Sequence, residues 1–273
     1  MPFRIFDTHQ HLGPIRDGHG PDREVDFTYR MGVQQTFGVR AAAIMGASIY
    51  ERANGQADTR RMNDKVAAYR DAYRDRYPVA LGLIEPDHGV EAGIAEIHRL
   101  HDELHLDGVV WHHYFHGTSI DEPRMVAFVQ ELGRLKMPAY IHLIAHMTSL
   151  VTAARLENLA LKCPDTTIVA LAPFSHLTQM PEVRHLGDAC PNVLFDTSLV
   201  WPINHWTIQF AEWFGSERII FGSDLIYHPE GPPYYVLPAL TDILQTTRLS
   251  EADKQNILWN NAERLFPALA SLA

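Results

Sequence analysis

Apolar residues along this chain recur in short runs, and between the runs lie longer stretches in which apolar positions return every three or four residues. The first pattern belongs to β-strands and the second to amphipathic helices. Runs at 3–8, 40–46, 79–84, 108–114, 139–144, 167–172, 193–197 and 218–223 predict eight strands. Helices are predicted at 24–37, 58–76, 90–104, 122–136, 149–161, 181–189, 205–213 and 235–246, one after each strand. Two further helical pieces, 251–259 and 262–266, follow. A loop rich in glycine and proline, 13–21, separates the first strand from its helix.

Strands joined through helices form a parallel sheet, because each helix returns the chain to the same end. Several runs lack clean alternation, as expected of strands covered on both faces. The expected fold is therefore α/β, a (β/α)8 TIM barrel. Residues 1–273 are expected to form a single domain with C-terminal helices, since a chain of this length can bury one large core. An open doubly wound sheet is the alternative, but no Gly-x-Gly-x-x-Gly turn follows the first strand.

Composition narrows the function. A formal net charge of −10 argues against binding nucleic acid, which relies on clustered Lys and Arg. No apolar run reaches the roughly 18 residues of a membrane span. The N-terminus enters a strand pattern directly, so a cytoplasmic protein is expected. Cys163 and Cys190, each followed by proline, suit reduced structural thiols better than a bridge. The 16 histidines against 23 Lys plus Arg direct attention to metal or proton chemistry.

In a barrel, chemistry sits at the C-terminal ends of the strands, and the candidate residues fall there. Asp7, His9 and His11 share one face of the first strand, since side chains alternate. His142 lies in the fifth strand, His176 follows the sixth and Asp224 follows the eighth. Taken singly, these could be a core histidine, a loop histidine and a helix-capping carboxylate. Together His9, His11, His142 and Asp224 offer three nitrogens and one oxygen, a set suited to one divalent ion, with Zn2+ the first choice. Asp224 is expected to ligate or to act as general base. His176 is expected to steady a developing oxyanion or carry a proton. Asp7 is either a partner of the ligands or a packed carboxylate.

A small-molecule substrate would meet Arg16 and His19 in the first loop, His112 and Tyr114 at the fourth strand, and Trp201 and Tyr227 in later loops. Strand alternation puts Val110, His112 and Tyr114 on one face and Trp111 and His113 on the other. Arg16 is the loop cation best suited to a substrate carboxylate. The same loops, with His205 and His228, suit a homo-oligomer interface as the alternative.

The run Asp7-Thr8-His9-Gln10-His11, with His142, His176 and Gly222-Ser223-Asp224, resembles the metal-site signature of the amidohydrolase superfamily, closest to its amidohydrolase 2 branch. The resemblance extends through 192–198 to 260–266 and so covers nearly the whole chain. It implies a mononuclear metal, usually zinc, in a branch of lactonases and other hydrolases alongside non-oxidative decarboxylases and hydratases. Decarboxylases of aromatic acids in this branch often carry Glu in place of the first histidine, whereas His9 is intact. The start is similar to that of sugar-lactone hydrolases. Hydrolysis of a lactone or related carbonyl compound by a metal-activated water is thus the expected reaction. A decarboxylase or hydratase of an unsaturated or aromatic acid is the alternative. Leu177-Thr178 follows His176 where the family commonly has glycine, and Val110 stands where binuclear relatives carry a lysine.

Overall fold

The computed structural model describes residues 3–12, 22–50, 52–145, 147–199, 206–227 and 236–272. Among these, strands and helices alternate as the hydrophobic pattern predicts. Strands β1 (Phe6–Leu12), β2 (Ala41–Gly46), β3 (Val79–Leu83), β4 (Gly108–Trp111), β5 (Ala139–His142), β6 (Ile168–Leu171) and β7 (Val193–Asp196) lie side by side in chain order. Every neighbouring pair is parallel. The eighth strand is split. β8 (Ile219–Ile220) pairs with β7, and after a turn β9 (Leu225–Ile226) pairs with β1. The sheet therefore begins and ends on one short stretch of chain. The Thr8 N–H also donates to the Phe221 carbonyl, 2.9 Å away and directly past β8. This closes the (β/α)8 TIM barrel.

Helices α1 (Arg23–Phe37), α2 (Gln56–Ala72), α3 (Val90–Asp102), a single turn α4 (His113–His116), α5 (Pro123–Arg134), α6 (Ala153–Lys162), α7 (Met180–Ala189), α8 (Trp206–Phe214) and α9 (Val236–Gln245) follow the strands. Local chemistry starts several of them. Pro123 and Pro181 occupy first-turn positions, where a missing N–H costs nothing. Thr152 caps α6 by accepting from the Arg155 N–H at 3.2 Å. Ser250 and Asp253 form a capping box on α10 (Glu251–Gln255). A π-helical turn, Asn256–Asn260, then leads into α11 (Asn261–Leu265). Its Trp259 is buried with an edge against Phe6 of β1, and the Ile257 carbonyl accepts from the Phe221 N–H. The C-terminal segment thus supports the first and eighth strands together. Both thiols are free and buried. No helix among the described residues is long and apolar enough to cross a membrane.

Three departures from the sequence reading matter for the site. β1 runs to Leu12 rather than ending at Thr8, because it pairs with both β2 and β9 along that length. β4 ends at Trp111, and 113–116 forms a helical turn closed by Gly117 (φ 69). The assignment of Val110, His112 and Tyr114 to one strand face therefore fails beyond Trp111. The predicted eighth strand is interrupted at 222–224, where Asp224 adopts a left-handed backbone (φ 59). Ala172 after β6 (φ 53) and Leu199 after β7 (φ 54) do the same. Three of the five left-handed non-glycine residues among the described ones thus follow strands at the site end, a placement typical of functional sites, while His105 and Lys136 precede β4 and β5.

Candidate metal centre

His9 and His11 project from β1, His142 is the last residue of β5, and Asp224 occupies the turn between β8 and β9. One ligand atom from each lies within 4.8 Å of all the others. His9 Nε2 is 2.9 Å from His11 Nε2, which is 3.3 Å from His142 Nε2. Asp224 Oδ1 is 3.3 Å from His9 Nε2 and 3.2 Å from His11 Nε2.

The partners of the ring nitrogens set which atoms face inward. His9 Nδ1–H donates to Asp196 Oδ2 at 3.2 Å, and His142 Nδ1–H donates to the Trp111 carbonyl at 2.9 Å. A neutral imidazole with its proton on Nδ1 presents a bare lone pair at Nε2. Acceptors facing one another at this range repel unless a proton or a cation lies between them. Bonds of about 2.0–2.1 Å to a tetrahedral ion place donors about 3.3–3.4 Å apart, close to the four separations of 2.9–3.3 Å above, with the remaining pairs within 4.8 Å. The donor set fits a divalent metal ion.

Electrostatics agree at His142 and Asp224; at His9, burial is outweighed by the Asp196 and Asp224 carboxylates, which raise it and favour positive charge at this point of the site. Burial pushes His142 well below the ordinary imidazole value, and the neighbouring His112, His11 and His9 push it further. His142 is thus a neutral ligand. Burial alone would raise the Asp224 carboxyl, but His9 and His11 beside it outweigh that and hold it below the usual carboxylate range. Asp224 has 20 % of its side chain exposed, against none for His9. It is the ligand that faces the mouth.

Asp196, at the end of β7, is the supporting residue that the sequence reading did not single out. Its Oδ1 accepts from the Ala172 N–H at 2.9 Å, the Ser198 N–H at 3.0 Å and the Ser198 hydroxyl, leaving Oδ2 for His9. The signal available was an acidic residue at a strand end. The two readings of Asp7 also separate. Its carboxylate meets no ligand ring; it accepts from the Ser223 N–H (2.9 Å), the Ser223 hydroxyl (2.5 Å), the His9 N–H (3.1 Å) and Gln10 Nε2 (2.8 Å). Asp7 staples β1 to the turn that carries Asp224.

The remaining candidates are distributed unevenly. His112 stacks on His142 with ring centroids 4.3 Å apart. Burial, helped by the nearby His11, pushes it down to about 4, so it is neutral near pH 7. Tyr114 stands on the helical turn, 49 % exposed, with its ring 6.4 Å from that of His112. Tyr227 packs its ring edge against Tyr29 of α1. His176 lies outside the four-ligand group, partly exposed after β6, with Nδ1 2.7 Å from the Thr178 hydroxyl. Arg16, His19, Trp201, His205 and His228 lie outside the described residues.

A family model described as Amidohydrolase matches residues 6–268. No curated protein sequence matches the chain. Solved structures with the same fold include 5-carboxyvanillate decarboxylase from Sphingomonas paucimobilis, with TM-score 0.71, 16% identity, and 97% of this chain and 99% of that one covered. 4-Oxalomesaconate hydratase from Rhodopseudomonas palustris superposes with TM-score 0.70 and 14% identity over 98% of this chain and 97% of that one. A dihydroxybenzoic acid decarboxylase from a Polaromonas species, solved with bound manganese and the inhibitor 2-nitroresorcinol, gives 0.67 and 17% over 98% of each chain.

Proposed function

This chain belongs to the amidohydrolase family, and on that premise we propose that it is a divalent-metal-dependent lyase. Its substrate would be a small unsaturated or aromatic carboxylic acid, and its reaction non-oxidative decarboxylation or hydration. The observation that carries metal dependence is the convergence of His9, His11, His142 and Asp224 at the strand ends. The choice of a lyase is supported by the decarboxylases and the hydratase among structures of the same fold. The ion, when bound, would polarise a substrate oxygen as a Lewis acid. Zn2+ is favoured by three imidazoles, and Mn2+ by its presence in the Polaromonas structure.

The chain's own groups then have distinct tasks. Asp224, ionised and facing the mouth, carries the proton. In decarboxylation it takes a proton from a substrate hydroxyl or a water, the bond to the carboxyl carbon breaks, carbon dioxide leaves, and Asp224 delivers that proton to the remaining carbon. In hydration it takes a proton from water as the oxygen adds to one carbon of a double bond, and returns that proton to the other carbon. His112, neutral and stacked on His142, hydrogen-bonds the substrate without adding charge. His176 serves as a proton carrier at the rim rather than as a ligand. Arg16, His19, Tyr114, Trp201 and Tyr227 complete the substrate-binding rim, with Arg16 on the substrate carboxylate.

Hydrolysis of a lactone is the second reading, favoured by the intact His9 in Asp7-Thr8-His9-Gln10-His11. Incubating metal-loaded protein with aromatic and unsaturated acids, and separately with lactones, distinguishes the two. The lyase reading expects carbon dioxide release or water addition. Ring opening of a lactone to its acid, with no turnover of any acid, would overturn it. Elemental analysis of the purified protein identifies the metal.

A further inference from the structure

Asp224 is a left-handed residue, and one buried network holds the residue on each side of it. Before it, Ser223 is tied through its N–H and hydroxyl to the Asp7 carboxylate. After it, the Leu225 carbonyl accepts from Arg30 Nη1 at 3.3 Å. Gln10 joins the two halves. Its Nε2 donates to Asp7 Oδ2 at 2.8 Å, and its Oε1 accepts from Arg30 Nη1 at 3.3 Å and from the Tyr77 hydroxyl at 2.9 Å.

Arg30, on α1, is fully buried. Its Nε donates to Asp26 Oδ2 at 2.7 Å and Nη2 to Asp26 Oδ1 at 3.1 Å; Nη2 also donates to the His11 carbonyl. With the two Nη1 donors, all five N–H groups of the guanidinium are committed. Two of them reach main-chain carbonyls on β1 and β9, strands whose ladder spans only Gln10–Leu225 and His11–Ile226. A left-handed non-glycine residue persists where surrounding structure over-determines it. Here the surrounding structure is this network.

We propose that Arg30, acting through Gln10 and Asp7, is a positioning residue for the metal centre: it fixes the turn that presents Asp224 to His9 and His11. The inference rests on the reading of those residues as a metal site. Lysine cannot substitute, because it has three donors and no planar fork.

Wild-type protein, Arg30→Lys and Gln10→Met are titrated with Co2+ against a competing chelator, while the visible absorption bands report the ligand field and urea unfolding reports the fold. The expected result is cooperative unfolding in all three, with Co2+ held roughly 10–100-fold more weakly by both variants and their bands altered. A role confined to stability would shift the urea midpoint and leave affinity and bands unchanged. Both variants binding within about threefold of wild type with the same bands would overturn the proposal. If Arg30→Lys does not fold, Gln10→Met decides, since it leaves the Arg30–Asp26 pair intact. Failure of the wild-type chain to bind Co2+ would remove the centre and this role together; binding by wild type with unaltered variants removes only the role.

Discussion

Gly222 leaves the space in which Asp196 reaches His9. A Cβ on Gly222 would overlap Oδ2 of Asp196, the oxygen that accepts from His9 Nδ1, and would stand 2.8 Å from Cβ of His9. The glycine of Gly222-Ser223-Asp224 is thus required by the close approach of the turn after β8 to Asp196 of β7 and His9 of β1. Gly222→Ala is expected to displace Asp196 and cost about 1–3 kcal/mol of stability through overpacking. Metal affinity should fall with it. Urea unfolding and metal titration check both, and unchanged affinity would refute the steric account.

Asp196→Asn separates charge from volume. Oδ1 keeps its three donors, but an amide N–H would now face His9 Nδ1. The imidazole must then accept there and carry its proton on Nε2, toward the other ligands. Metal affinity is expected to drop about 10–100-fold with a nearly unchanged urea midpoint. Calorimetric metal titration reads this directly.

Metal binding should stabilise the native state alone. Free ion at 100 times its dissociation constant adds about 2.7 kcal/mol by mass action, which raises Tm by several degrees. Excess chelator should reverse the rise, and Asp224→Asn should abolish most of it. A Tm unaffected by Zn2+, Mn2+ and chelator would contradict the metal site.

His112→Phe keeps a ring stacked on His142 and removes both nitrogens. Metal affinity is expected to stay within about threefold, while kcat/KM falls by about tenfold or more, the loss of one hydrogen bond of roughly 1.5 kcal/mol. Unaltered kinetics would take His112 out of substrate binding.

The thiols test the reading of Cys163 and Cys190 as reduced structural residues. Burial pushes the Cys163 thiol up to about 11 and raises Cys190 as well. Thiolate is the reactive form, so both should resist a disulfide reagent in native protein at pH 8 and react promptly in urea. For Cys163 the sign is that of an acid with a raised folded value: the stability it contributes is lost as pH rises from about 9 to 11. Rapid labelling of two thiols in the native state would contradict the burial.

The fold was legible because its cause is periodic. Strands such as β2 (AAAIMG) and β6 (IVAL) are buried throughout and read as unbroken apolar runs. The helices between them show one apolar stripe. The ligands were legible because the barrel gathers whatever stands at strand ends, and histidine spaced by two on β1 needs only local geometry to share a face. Strand ends themselves were not, because the pattern of 108–114 does not reveal that Gly117 accepts a left-handed backbone and lets 113–116 coil.

What the chain's order of residues determined by itself is therefore the barrel, the face on which the chemistry lies and the four residues that meet there. What only the tertiary structure decided is how those residues are held. The split of the eighth strand, the gap at Gly222 that admits Asp196, and the link from Arg30 through Gln10 to Asp7 join positions as far apart in sequence as 7 and 223. Such contacts leave no period in the sequence. They exist because buried polar groups must find partners, and the partners available are set by closure of the barrel.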